Sequence, residues 1–384
     1  MMEIAGNILK VTRAKDWRLS FVPFIIGCVY CWLWWFQISL SVESVLLFVL
    51  SFVTTFGFAA FGYFINEFFD KKADAKAGKI NKLSVLPASY QLLLFIGCAT
   101  ITFLPWYWLP ADKITVVLIA AEIFFFFIYS LPFPRLKNVP LVSGFIDSGY
   151  AYVLPLLLSF HTYSLFVKSA HNEMIYFFAG AVFFIGFRNI TIHHVNDIFK
   201  DMRSQTLTLP QVIGVNATNT LIIVLMAEEI LLLLLWSAIV TIQHPFFAVW
   251  IIIFITAIVL RYRIAIQNFR FDFISIEPVR HLTDPIYQYV FPAFSLLLAM
   301  DADYKWLLLL PLHIVLFLTR SMLLIMWDKL FWGSLEFKYF FINRVIVTIR
   351  IAGNYAIYYG FLMVGINLRK ENLSAWSYIK KRMK

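Results

Sequence analysis

Acidic residues are scarce in this chain, 22 Asp and Glu among 384 residues, so the places where they gather are informative. Asn66, Glu67, Asp70 and Asp74 close a long apolar run, with Asn66, Asp70 and Asp74 each four residues apart. On a helix that spacing stacks three oxygen ligands on one face. Asn196, Asp197 and Asp201 close a later run, again with two carboxylates at i and i+4. Two carboxylate clusters that face each other, with lysines and arginines interleaved, form a site for a hard cation such as Mg²⁺, with Mn²⁺ as its substitute, shared with phosphate oxygens of a ligand. The competing explanation is that helix ends at the headgroup level simply collect charge. It accounts for one cluster more readily than for a matched pair. His193 and His194 lie within a turn of Asp197, so one of them shares its face as a base or as an orienting group; a buried, satisfied histidine is the plainer alternative.

The elements that must position these residues are membrane helices. The chain is 61% hydrophobic and 14% charged with a mean hydropathy of +0.79, against about a quarter charged in a soluble domain. Long continuous apolar runs exclude the alternating pattern of an outer-membrane barrel. Runs near 19–40, 43–69, 90–108, 114–131, 140–160, 173–196, 216–240, 245–266, 285–300, 304–328 and 342–366 each approach the length needed to cross a bilayer, about 20 residues. The net charge of +10 suits cytoplasmic loops, anionic headgroups and phosphorylated ligands, and no soluble basic face exists for nucleic acid. Cations concentrate in the connections after the second, fourth, sixth and eighth runs, so the positive-inside rule puts both acidic clusters at the cytoplasmic face of the cell membrane. Eleven crossings place the basic tail outside and ten place it inside, so the 285–300 run or the last run is exceptional. Cys28, Cys31 and Cys98 are read as small buried hydrophobes rather than as zinc ligands or disulfides.

The first cluster resembles the Asn-Asp-x-x-Asp-x-x-x-Asp motif of the UbiA family of intramembrane prenyltransferases, and Asp197 with Asp201 resembles that family's second aspartate motif. Lys79, Asn81 and Lys82 fall where the family has Lys followed by Asn-Arg-Pro. Tyr129, Ser130, Pro132, Arg135 and Lys137 resemble its signature after the fourth helix, and Thr208, Leu209 and Pro210 its Thr-Leu-Pro segment. Departures are Glu67 for Asp, Lys82-Leu83 for Arg-Pro, and Gln205 where a Gly is common.

The resemblance implies an all-α polytopic bundle of about nine transmembrane helices over residues 1–301, with one or two additional helices and a basic tail in 302–384. It implies Mg²⁺-dependent transfer of a prenyl group from an isoprenoid diphosphate to an aromatic or lipid acceptor within the membrane. The metal is then held by Asn66, Asp70, Asp74, Asp197 and Asp201, with Glu67 beside them, and the diphosphate by Lys79, Lys82, Arg135, Lys137 and Arg203. Tyr129, Asn196 and His193 are the substrate contacts, and Phe68, Phe69 and Phe199 are further aromatics near the motifs. A UbiA-type terpene cyclase and a polyprenyl-phosphate phosphoribosyltransferase use the same fold and metals. A transporter or lipid-binding protein is the non-enzyme alternative, but transporters place their coupling groups near the midplane rather than at helix ends. Arg188 and Asn189, deeper in the sixth run, either line a cavity or pair internally. Arg13 and Arg18 are read as interface anchors, and Arg350 with Asn354 as an internal pair.

Overall fold

The computed structural model describes residues 11–12, 21–76, 78, 80–133, 135–169, 173–203, 206–268 and 281–317. Lys79, Arg13, Arg18, Gln205, Arg350, Asn354 and the expected helices beyond residue 317 lie outside the described residues.

Every regular element among the described residues is helical. In chain order these are α1 (Phe21–Trp35), α2 (Val42–Lys76), α3 (Ala88–Phe103), α4 (Lys113–Ser130), α5 (Pro140–Ser148), α6 (Leu154–Phe166) and α7 (Met174–Asn196). There follow the short α8 (Ile198–Arg203) and α9 (Leu209–Ile213), then α10 (Val215–Gln243), α11 (Ala248–Asn268), α12 (Phe291–Ala302) and α13 (Leu309–Phe317). Among the described residues, seven spans are long and apolar enough to cross a membrane, α5 and α6 counting as one, and two shorter apolar helices, Val22–Trp35 and Ile286–Ala302, make nine. The chain is a multi-pass membrane protein. Helices apolar on all sides are what a lipid environment requires, because backbone polar groups must be satisfied within the segment.

Three boundaries differ from the hydropathy reading. The second helix continues beyond residue 69 to Lys76, since its polar end has Ala and Lys to sustain it. A π-turn at Gly149–Val153 interrupts the 140–160 run just before Pro155, whose missing N–H a wider turn accommodates. The 285–300 run is likewise divided, into a π-turn at Ile286–Val290 and α12 with Pro292 in its first turn.

Packing follows side-chain size. α2 lies along α3, where an added Cβ on Gly57 would stand 2.6 Å from the Thr102 backbone and Thr54 Oγ1 donates to the Thr102 carbonyl at 2.7 Å. Asp112 caps α4 in a capping box with Thr115, and its Oδ1 is 2.7 Å from His161 Nε2 on α6. An aromatic core joins α1, α7, α10 and α12, with Phe178 stacked on Trp236 at 4.4 Å between centroids.

The charge deep in α7 pairs instead of lining a cavity. Arg188 is fully buried; its Nε donates to Glu229 Oε2 of α10 at 2.9 Å and its Nη2 to Asp284 Oδ1 at 2.6 Å. Thr283 Oγ1 donates to Glu229 Oε1 at 2.5 Å. Burial alone would raise the Asp284 carboxyl, but Arg188 and His281 together hold it below the usual carboxylate range.

Candidate active site

The last turns of α2 carry the first acidic cluster, and the α4–α5 connection reaches back to it. Arg135 Nη2 donates to Asp70 Oδ1 at 3.0 Å, and Lys137 Nζ binds the same oxygen while standing 3.3 Å from Asn66 Oδ1. Arg135 adopts a left-handed backbone, φ +43°, a conformation that costs a non-glycine residue about 1 kcal/mol or more and that the ion pair offsets. Lys137 is only 8% exposed. Burial draws its ammonium below the ordinary lysine range, and Asp70 pulls the other way.

Asp74 faces the α2–α3 loop, where Asn81 Nδ2 donates to its Oδ2 and to the Glu67 carbonyl, both at 2.9 Å. Asn81 Oδ1 in turn accepts from the Ser84 N–H at 3.0 Å. Glu67 is buried and its Oε2 accepts from the Lys82 N–H at 3.3 Å. The side chain that departs from the family motif therefore braces the loop. Lys82 is half-buried.

The second cluster straddles a break. α7 ends at Asn196, Asp197 caps it, and α8 begins at Ile198. The i, i+4 relation survives because the Asp201 N–H bonds the Asp197 carbonyl at 2.9 Å. Asp197 Oδ1 is 2.5 Å from Lys200 Nζ, and Oδ2 is 3.6 Å from His193 Nε2. The hydrogen bond to Asp197 raises the Lys200 ammonium above its ordinary range. Of the two histidines, His193 shares the Asp197 face and His194 is buried.

A cavity of about 460 Å³ joins the two helices that carry the clusters: Asn66 of α2 and His193 of α7 both line it, with Tyr129 of α4 and Asn189 of α7. Tyr129 lies within electrostatic reach of Asp70 and Asp201. Not every expected contact reaches the cavity. Phe68 is 47% and Phe199 75% exposed, Asn196 and Arg203 are also exposed, and neither these four nor Asp70, Asp74, Asp197, Asp201, Lys82, Arg135 and Lys137 are among its lining residues. Among the described residues, no three His, Cys, Asp or Glu side chains gather closely enough to hold a metal ion by themselves.

Four residues outside the expected set of metal, diphosphate and substrate contacts belong to the cavity or its supports. Asn81 ties the loop to α2. Asp147 accepts from the Tyr150 hydroxyl at 2.6 Å, and Glu122 of α4 is 1% exposed; both acids line the cavity. The signal for these two was an acid inside an apolar run, where ionisable groups are expensive. Asn189, read beside Arg188, points the other way, donating to the Tyr152 hydroxyl at 3.0 Å.

No family model matches the chain, and no curated protein does. Solved structures do. A UbiA homolog from Archaeoglobus fulgidus bound to DMAPP and Mg²⁺ is 16% identical with a TM-score of 0.51, the match covering 76% of this chain and 99% of that one. The same homolog bound to GPP and Mg²⁺ is 17% identical with a TM-score of 0.52 over the same shares of the two chains. Its Cd²⁺ complex is 16% identical, again with those shares, at 0.50. With nine apolar helices superposed over nearly the full length of that homolog, this chain has the UbiA-type fold.

Proposed function

We propose that the chain is an intramembrane prenyltransferase that moves a prenyl group from an isoprenoid diphosphate to an aromatic or lipid acceptor and releases diphosphate. The observation that carries this reading is one cavity lined by Asn66 of one acidic helix and His193 of the other, with Lys137, which joins Arg135 on Asp70, standing 3.3 Å from that Asn66. The fold is that of a homolog seen with DMAPP or GPP and Mg²⁺.

The donor set fits Mg²⁺ shared with a diphosphate better than a metal caged by protein. Mg²⁺ is commonly held by one or two carboxylates together with substrate phosphates, and each cluster here offers that many hard oxygens. Asn66, Asp70 and Asp74 would hold the ion on one side and Asp197 with Asp201 on the other. When bound, it neutralises charge on the departing diphosphate oxygens. Arg135, Lys137, Lys82 of the α2–α3 loop and Arg203 at the end of α8 would add positive charge where that oxygen charge develops. The C1–O bond of the donor breaks with its electron pair leaving on diphosphate; the acceptor's nucleophilic atom bonds to C1 and gives up a proton, which His193 at the cavity wall is placed to receive. Tyr129 and the apolar walls keep water from quenching the allylic cation. The basic loops support a cytoplasmic-facing site in the cell membrane.

The test is diphosphate release from geranyl, farnesyl and geranylgeranyl diphosphate in detergent, with Mg²⁺ or with chelator, and with or without acceptors. Release that needs Mg²⁺ and rises when a membrane lipid extract or a simple aromatic acceptor is added is the expected result. Rapid release without acceptor, with a cyclic hydrocarbon as product, would overturn transfer in favour of cyclisation. Release from phosphoribosyl diphosphate alone would overturn it in favour of phosphoribosyl transfer.

A further inference from the structure

Asp147, in the last turn of α5, is an acid that neither aspartate motif supplies, and the backbone after it is shaped around the cavity. On a straight α-helix Tyr152 would stand about 140° around from Asp147. The π-turn at Gly149–Val153 takes up the excess, and Tyr150, Ala151 and Tyr152 all line the cavity together with Asp147. Both rings are held. The Tyr150 hydroxyl donates to Asp147 Oδ1 at 2.6 Å, and its ring meets those of Tyr129 and Phe126 edge-on, with centroids 5.4 and 5.0 Å apart. Tyr152 lies against Gly186 of α7, where an added Cβ would stand 2.8 Å from its ring, and its hydroxyl accepts from Asn189 Nδ2 at 3.0 Å. Asp147 is within electrostatic reach of Tyr129, Tyr150 and Tyr152, and Tyr63 of α2 is within reach of the same three. All four tyrosines line the cavity. One carboxylate and four phenol rings therefore share one place on its wall.

That grouping selects the sign of what binds. Asp147 Oδ2 takes no hydrogen bond among the described residues, and no Lys or Arg is among the cavity's described lining residues. A carboxylate that receives a phenol O–H keeps its charge more readily than a bare one. This separates Asp147 from Glu122, whose Oε2 has no partner among the described residues. Aromatic faces attract cations, most strongly where water is excluded. A hard metal ion asks for about six oxygen ligands, whereas a single carboxylate among rings suits a bulky organic cation. We propose that Asp147 with Tyr63, Tyr129, Tyr150 and Tyr152 forms a binding box for an organic cation carried on an apolar chain. Resting on the prenyl-transfer reading, the occupant is the allylic cation, and Tyr129, which is also within reach of Asp70 and Asp201, joins the box to the acidic clusters. The C1–O electron pair leaves on diphosphate, Asp147 balances the charge left on the prenyl carbon without bonding to it, and the acceptor's electron pair then closes the cation.

A matched pair of probes tests it. Dimethyloctylamine, protonated at pH 8, and its N-oxide, which has the same carbon skeleton and no net charge, are titrated calorimetrically into the detergent-solubilised full chain. Mg²⁺ and inorganic diphosphate are present, so that the acidic clusters are occupied. Wild type is expected to bind the amine at least about tenfold more tightly than the N-oxide, the order of a desolvated cation held by aromatic faces. Asp147→Asn keeps the size of the side chain and the oxygen that accepts from Tyr150, and it should weaken the amine about tenfold and the N-oxide little. Asp147→Ser, equally uncharged, keeps the test decisive if the amide variant does not fold. Geranyl diphosphate carries no positive carbon before its bond breaks, so its Mg²⁺-dependent binding to Asp147→Asn should change by less than about twofold while its turnover with acceptor falls at least about tenfold. A merely structural role would lower the two together. Equal affinity for the two probes, or amine binding unchanged in the Asp147 variants, overturns the box, and so does a loss that appears in Glu122→Gln instead. If the amine behaves as expected and geranyl diphosphate does not bind, the box stands and the prenyl-transfer reading falls.

Discussion

Replacing Arg188 by Met should unsettle the bundle more than any change at the acidic clusters. Arg188 and Glu229 are both fully buried and Asp284 is 12% exposed, so deleting the guanidinium leaves two carboxylates facing each other in the interior. Arg261 replaces little of this, because its Nε and Nη2 are directed at the carbonyls of Leu282 and His281 and its charge reaches Asp284 through space. Breaking one partner out of a buried ion network costs about 3–5 kcal/mol. With an unfolding entropy of about 2.1 cal/mol/K per residue, some 300 residues give about 0.6 kcal/mol/K, and the midpoint should fall by about 5–8 °C. Arg188→Lys keeps the charge but loses the two-armed geometry, so it should fall between. The assay is built in: Cys28, Cys31 and Cys98 are free and buried, so a thiol-reactive dye reports unfolding directly. Neutralising the acids together with the cation, as in Arg188→Met with Glu229→Gln and Asp284→Asn, should recover much of the loss. A single variant that melts within about 2 °C of wild type would refute the argument that this network holds α7, α10 and the segment before α12 together.

Asp70→Ala and Asp197→Ala should each lower Mg²⁺-dependent diphosphate release by about a hundredfold with the melting point preserved, the order expected when a transition-state electrostatic contact is removed; wild-type turnover in either would remove that carboxylate from the site. Glu67→Asp should retain most activity, because a bond from the Lys82 N–H at 3.3 Å is a loop contact, and a loss matching that of Asp70→Ala would make Glu67 a ligand. Gly57→Ala should lower the melting point by about 1–3 kcal/mol worth of stability, since the new methyl meets backbone it cannot displace. Gly97→Ala on α3 meets nothing and should leave stability unchanged or raise it by up to about 1 kcal/mol, measured by the same dye.

Hydropathy placed the helices because a lipid-facing segment must be apolar for its whole length, and that signal needs no tertiary information. The acidic motifs were legible for the same reason in reverse: carboxylates at four-residue spacing stand out in a chain so poor in acids. What single positions do depended on three-dimensional neighbours. Glu67 stands off the face that Asn66, Asp70 and Asp74 share, and only the folded chain shows that its Oε2 accepts from the Lys82 N–H of the loop. Phe199 is near the motif in sequence and points outward. Arg188 and Asn189 are adjacent and serve opposite purposes, because consecutive helix positions are about 100° apart and only one of them faces the cavity.

α2 contains 35 residues, about 52 Å of helix, against a hydrocarbon layer of about 30 Å. A typical tilt of about 20° shortens its reach only slightly. The helix therefore emerges from the oily layer before it ends, and Asp70 and Asp74 ride on the emergent part. On the prenyl-transfer reading proposed above, this placement suits a molecule that is half salt and half oil. Its pyrophosphate end would keep its hydration until the moment it is gripped, with the carbon end already submerged. Dragging each charge to the bilayer centre would cost about 2.5–3.5 kcal/mol even on the lenient scale. By extending one helix by a few turns, the chain would let such a ligand lie across the boundary where it naturally floats, with the bond to be broken at the surface.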